Sequence, residues 1–176
     1  MEKNRNPWTV PIVVDDIPET GLRIEIDAPE DARAELSALA GLRELPRLSA
    51  VFDLQRRGAG VRVTGQVSAR VGQTCVVTLE PLESDLDESV DLIFAPVFTE
   101  SAQAKAIDQR AGEEEPPEPL VGGTLDLGAI ATESLVLGIN PYPRKAGADF
   151  GPVRDDNGGA RPFAALEALK KRLGGS

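Results

Sequence analysis

Between Val61 and Val71, every second position is small or apolar (Val61, Val63, Gly65, Val67, Ala69, Val71), and Arg, Thr, Gln, Ser and Arg stand between them. A strict period of two cannot be laid on a helix; it puts one set of side chains on a buried face and the other in water, which is a half-buried strand. The same period precedes it at Leu48, Ala50, Phe52 and Leu54, and the break at Arg57, Gly58, Ala59 and Gly60 carries the glycines of a tight turn. The two runs predict a β-hairpin. Trp8 to Val14 is apolar and β-branched, and Leu22, Ile24 and Ile26 alternate with Arg23, Glu25 and Asp27, so two strands are expected upstream. Downstream, Thr74 to Glu80 and Val90 to Phe98 read as two more, separated by an acidic loop holding Glu83, Asp85, Asp87 and Glu88. Successive strands with one polar face predict an antiparallel meander curling into a barrel-like sheet.

Three stretches change to helical spacing. Pro29, Glu30 and Asp31 suit a helix start; Ala32, Leu36, Leu39 and Ala40 supply its apolar stripe, and Gly41 ends it. Asp126 is placed to cap a second helix, ringed by Leu127, Ile130, Leu135, Val136 and Leu137 and stopped by Gly138, Asn140 and Pro141, so that helix is expected to be largely buried. Phe163, Leu166, Leu169 and Leu173 recur beside Lys170, Lys171 and Arg172, a basic amphipathic tail helix. The expected class is therefore α+β: an antiparallel, barrel-like meander sheet with a few packed helices. Its 176 residues suit a single domain over 1–176. Periodicity vanishes between Thr99 and Gly123, where Glu113, Glu114, Glu115, Pro116, Pro117 and Glu118 form a composition too polar to bury, so a mobile acidic loop is expected over about 99–123. A second flexible segment is expected over about 144–161, rich in Gly, Pro and Asp.

Chemistry is restricted by what the chain lacks. It has no histidine and one cysteine, Cys75, which removes the serine–histidine triad, an internal disulfide and a cysteine-rich zinc site. Alternation with Val77 and Leu79 makes Cys75 a packed, small apolar residue. Asp126 and Glu133 stand seven positions apart, about two helical turns or roughly 10 Å, too far for a tight carboxylate dyad. Asp126 is better read as the cap, and Glu133 as an exposed carboxylate or one needing a partner among the leucines. No metal, cofactor or catalytic residue is expected, and the chain is read as not an enzyme. The absence of an apolar leader or a membrane-length run gives the expectation of a cytoplasmic protein without membrane contact.

With 29 acidic against 19 basic residues, the formal net charge of −10 repels a polyanion. Direct RNA binding is disfavoured and would need a segregated basic patch. The acidic residues Glu83, Asp85, Asp87 and Glu88 suit a basic protein partner, although charge runs are commonly just solvated. Arg161, Lys170, Lys171 and Arg172 fit a phosphate, an acidic protein surface, or simply the negative end of their own helix.

A glycine-bearing strand at Gly65, the cysteine strand from Gln73 to Leu82, the segment from Gly122 to Arg144 and the closing run from Arg161 to Lys171, with Phe163 in it, occur here in one order around an acidic loop. In that order the sequence resembles the YceD family, the large ribosomal RNA subunit accumulation proteins, with Gly65, Cys75, Asp126, Glu133 and Phe163 among the landmarks. The resemblance implies a noncatalytic role in synthesis, processing or stability of large-subunit (23S) ribosomal RNA, with ribosomal or rRNA-processing proteins as partners. Many members of the family carry a C-x-x-C pair where this chain has Cys75, Val76, Val77 and Thr78, and a later His/Cys region where it runs from Ala146 to Asp156 with neither. Any zinc role of that pair is not carried over. The alternatives are a general interaction module unrelated to ribosomes, or an enzyme using Cys75 or a magnesium ion at Asp126 and Glu133.

Overall fold

The computed structural model describes residues 6–96 and 117–149. The chain divides into two compact units, Met1–Ala146 and Gly147–Ser176, and the fold below is that of the first. Its strands are β1 (Pro11–Val13), β2 (Leu22–Asp27), β3 (Glu44–Arg57), β4 (Gly60–Thr74), β5 (Pro81–Pro96), β6 (Glu118–Leu120) and β7 (Thr124–Asp126). The helices are α1 (Glu30–Leu39) and α2 (Leu127–Gly138).

The predicted hairpin is there, and longer than its apolar run. β3 and β4 pair antiparallel from Arg57 opposite Gly60 back to Arg47 opposite Arg70, which leaves Gly58 and Ala59 as the turn. Gly58 takes a φ of 60°, a conformation an L side chain resists. The register sets Leu48, Ala50, Phe52 and Leu54 opposite Ala69, Val67, Gly65 and Val63. All of these but Gly65 are buried, so the alternation read from the sequence is the alternation of one core-facing surface. β2 adds antiparallel to β3, with Ile24 opposite Phe52 and Ile26 opposite Ala50.

α1 begins where expected. Pro29 is its N-cap, Glu30 and Asp31 fill the first turn, and Gly41 reverses the chain at φ 66°. Ala32 and Leu36 reach the core, but Leu39 is 56% exposed, so the stripe is narrower than the sequence suggested. α1 packs on β3, while α2 lies against β4 and β5 and touches β1. α2 is also less enclosed than expected. Leu127, Ile130, Ala131 and Leu135 are buried, yet Val136 and Leu137 are exposed.

The class is α+β, but the sheet does not close. Strand order is β2-β3-β4-β5-β6, with β1 and β7 forming a separate two-stranded sheet. β6 is three residues long and pairs parallel to Phe94–Pro96, so the large sheet is mixed, and among the described residues its end strands β2 and β6 each have one neighbour. Helices cover the apolar face that a barrel would have turned inward on itself, and that packing removes the need for closure. β6 also falls within the expected 99–123 loop, as does the Gly122–Gly123 turn; residues 99–116 of that loop lie outside the described residues, as do Val97 and Phe98 of the expected Val90–Phe98 strand and the expected flexible segment from 150 onward. The expected first strand is shorter than Trp8 to Val14: only Pro11–Val13 is paired, and Val14–Asp16 is a single 3-10 turn. No described helix is long and apolar enough to cross a membrane.

Candidate functional site

The acidic stretch at 83–88 is not a loop. β5 runs unbroken through it, antiparallel to β4 from Pro81 opposite Thr74 to Phe94 opposite Val61. Leu86, Val90 and Phe94 are its buried positions, but Ser84 and Glu88 occupy the core-facing sites between or beside them, so the apolar alternation is interrupted in sequence while the strand continues. On the solvent face the acids meet complementary partners across the ladder. Arg70 Nε donates to Glu83 Oε2 at 2.7 Å, Ser68 Oγ donates to Asp87 Oδ1 at 2.6 Å, and Arg62 grips Asp91 through two bonds of 2.9 and 2.7 Å. The Glu83 hydrogen bond, then the charges of Glu83 and Asp85, hold the Arg70 guanidinium above its ordinary value. The Arg62 bonds lower Asp91. Such exposed pairs are screened by solvent, so they set register and charge pattern more than stability.

This geometry divides the acidic residues. Glu83, Asp85 and Asp87 are exposed on the outward face, with Asp85 opposite Arg70 and Asp87 opposite Ser68. Glu88 is opposite core residue Val67 and half-buried on the other face. It packs on the end of α2: a Cβ on Gly138 would stand 2.6 Å from Glu88 Oε1.

Cys75 is completely buried, as its packing role required, but not within a strand. β4 ends at Thr74, and the segment before Pro81 is a turn in which Leu79 adopts φ 60° and is 76% exposed. The thiol fixes that turn. Cys75 Sγ accepts the Thr78 N–H at 3.4 Å and the Lys145 N–H at 3.3 Å, while Val76 N donates to the Pro143 carbonyl at 2.9 Å. The Lys145 N–H, then the Thr78 hydrogen bonds, lower the thiol to about 6 against the opposing effect of burial. Lys145 Nζ closes the same junction on Glu80 Oε2 at 2.8 Å, which raises Lys145 and lowers Glu80. Thr78 stands where a second cysteine of a C-x-x-C pair would be. A lone thiol does not supply a zinc ligand set, and among the described residues no group of three His, Cys, Asp or Glu side chains is placed to hold a metal.

Asp126 is the cap predicted for α2, and it does more than cap. Its Oδ1 accepts from Ala129 N at 3.1 Å and from Val10 N at 2.8 Å, joining the helix start to the N-terminal segment. Glu133 is exposed, so it needs no buried partner. The two share the rim of a shallow depression of about 230 Å³ with Glu118 but form no close cluster. Gly65 faces Phe52 across the ladder, where a Cβ would stand 2.2 Å from the Val51 carbonyl oxygen. Arg161, Phe163, Lys170, Lys171 and Arg172 lie outside the described residues.

Two contributors were not legible as site residues. Gln73 is 9% exposed and donates through Nε2 to the Asn140 carbonyl at 2.9 Å, and Gly138, a helix stop in the sequence, packs against Glu88. A polar Gln at an otherwise strand-like position before Cys75 was the available signal. The sequence model of a family described as "Large ribosomal RNA subunit accumulation protein YceD" matches residues 63–170, from early β4 across β5 and α2 into the C-terminal segment. No curated protein and no solved structure matches the chain.

Proposed function

The chain belongs to the YceD family, and on that premise we propose that it is a noncatalytic factor supporting accumulation of large-subunit (23S) ribosomal RNA by binding a basic ribosomal or rRNA-processing protein. The observation that carries this reading is the exposed row of Glu83, Asp85 and Asp87 on the outward face of β5. Rigid strand geometry presents these carboxylates at a fixed spacing on one face, where a flexible loop would have spread them. A formal charge of −10 discourages contact with RNA phosphates and speeds encounter with basic proteins.

The candidate nucleophile argues in the same direction. Cys75 has no solvent-facing surface, and its sulfur is occupied by backbone donors. A thiol so placed holds a turn; it has no room for a substrate. The basic tail residues Arg161, Lys170, Lys171 and Arg172 are proposed as a second docking element on the strength of their sequence pattern, and the protein is proposed to act in the cytoplasm.

Affinity capture at moderate salt tests the partner. The wild-type chain is expected to recover basic ribosomal or processing proteins, and Glu83→Gln with Asp85→Asn and Asp87→Asn is expected to recover far less. Tight binding to protein-free ribosomal RNA with a steep negative salt slope would overturn the indirect mode of action.

A further inference from the structure

Beside β5 and the end of α2 lies a groove of about 370 Å³, lined by Gln73, Asp85, Asp87, Glu88, Gly138 and Arg144 among others. Its polar groups are mostly acceptors. Gln73 is nine-tenths buried and its Nε2 is engaged by Asn140, which leaves Oε1 without a partner among the described residues. Because no side-chain polar atom among the described residues is both fully buried and unpartnered, that oxygen retains some exposure, and Gln73 lines the groove. Glu88 makes no hydrogen bond or ion pair among the described residues, although it is half-buried against Gly138. Gly138 is the last residue of α2, so the negative end of that helix, with its unfinished carbonyls, opens beside the same carboxylate.

The groove adjoins a strand edge. Among the described residues β5 has a neighbour on its far side only at Phe94–Pro96, where β6 pairs with it, and its edge from Pro81 to Ile93 is open. An extended segment can add to such an edge through main-chain hydrogen bonds and place alternate side chains toward the core-facing side. A guanidinium fits the acceptors there best, since it brings several N–H donors and a charge that is not lost on partial burial.

We infer that the groove between β5 and the end of α2 receives an arginine side chain of an extended, basic protein segment that adds to the open edge of β5. This rests on the reading of the chain as a factor that works through a basic protein, and it names where and how that protein is held. Arg144 is the single cation among the described residues lining the groove; it makes no hydrogen bond or ion pair with these acceptors, and its charge opposes an incoming guanidinium.

The test is an NMR titration of the full-length chain with a short peptide alternating arginine and valine, beside a glutamate–valine control. Amide shifts are expected at residues 82–88 and 138–144, with slowed hydrogen exchange along the β5 edge, for the arginine peptide alone. Glu88→Gln, which keeps the side-chain shape, is expected to weaken binding about tenfold, and Arg144→Ala to strengthen it about threefold. Shifts confined to β5, with none at residues 138–144 and Glu88→Gln silent, would overturn the groove and leave the broader reading intact. Nonsaturating shifts at every acidic residue would overturn it as well, as an ion-atmosphere effect. Saturable binding in the groove with no basic protein recovered by affinity capture would instead sink the broader reading and spare the groove.

Discussion

Substituting Gly65 by Ala is expected to be among the most damaging single-methyl changes available in this fold. Gly65 stands opposite fully buried Phe52, and an added Cβ would lie 2.2 Å from the Val51 carbonyl oxygen, 2.8 Å from Phe52 Cδ1 and 3.0 Å from Phe52 Cα. Two of those atoms are backbone, so a rotamer change cannot relieve the clash. β3 and β4 must move apart by about 1 Å to restore contact distance, which weakens about two ladder hydrogen bonds at ~1 kcal/mol each and disturbs the Phe52 packing by a further ~1 to 2 kcal/mol. The reduced freedom of the unfolded alanine chain returns about 0.5 kcal/mol. The net loss is about 3 kcal/mol, a large part of the stability of a typical domain. With a urea slope of about 2 kcal/mol per molar, the unfolding midpoint should fall by about 1.5 M. Gly72→Ala is the internal control. Its Cβ would stand nearly as close to a neighbour, 2.5 Å from Glu44 Cγ, but that neighbour is an exposed, flexible side chain free to swing away. Its midpoint should shift by less than about 0.4 M. If the two variants unfold at the same urea concentration, or Gly65→Ala matches wild type, the steric account of this strand pair is wrong.

Titration of Cys75, followed by ultraviolet thiolate absorbance in the folded protein, is expected to show a midpoint near about 6; a midpoint above pH 8 would refute the hydrogen-bonded thiolate. Because the folded value lies below the ordinary 9.0, the unfolded chain binds more protons between the two, so wild-type stability relative to Cys75→Ala should rise with pH from about 6 to about 9 and be lost as pH falls through about 6. A flat difference would contradict that assignment. Asp126→Ala removes the acceptor of both Ala129 N and Val10 N and should cost about 2 to 3 kcal/mol by urea unfolding, with Asp126→Asn much milder; equal losses would mean that charge, not hydrogen bonding, is what Asp126 contributes.

Legibility in the sequence followed how one-sided each element is. β2, β3 and β4 could be read because their buried faces hold nearly continuous apolar positions, and the capped start of α2 because Asp126 precedes an apolar run. The sequence pattern breaks β5 into a strand and a loop because on the face that carries Leu86 and Val90 stand an exposed Ser84 and a half-buried Glu88, where a strand pattern predicts apolar residues. Val76 and Val77 drew the opposite error, since β-branched residues suggested a strand where the Cys75 hydrogen bonds impose a turn. Exposure of Leu39, Val136 and Leu137 depends on how far α1 and α2 overlap the sheet, which no local period encodes. Closure of the sheet was likewise beyond a local pattern, because it turns on the three-residue β6 pairing parallel to the far end of β5. The acidic residues were legible as a group, but their division between two faces of β5 was not. The groove needed three distant segments, around Gln73, Glu88 and Gly138, to meet.

The most direct test of the central claim is the ratio of large to small ribosomal subunits, measured by gradient profiling in cells lacking the chain and complemented by wild type or by Glu83→Gln with Asp85→Asn and Asp87→Asn. Loss of the chain should lower the large-subunit share, wild type should restore it, and the neutralised variant, folded and present at the same level, should fail to. A normal subunit ratio without the chain would contradict the ribosomal role, and full rescue by the neutralised variant would contradict the acidic face of β5 as the means by which it acts.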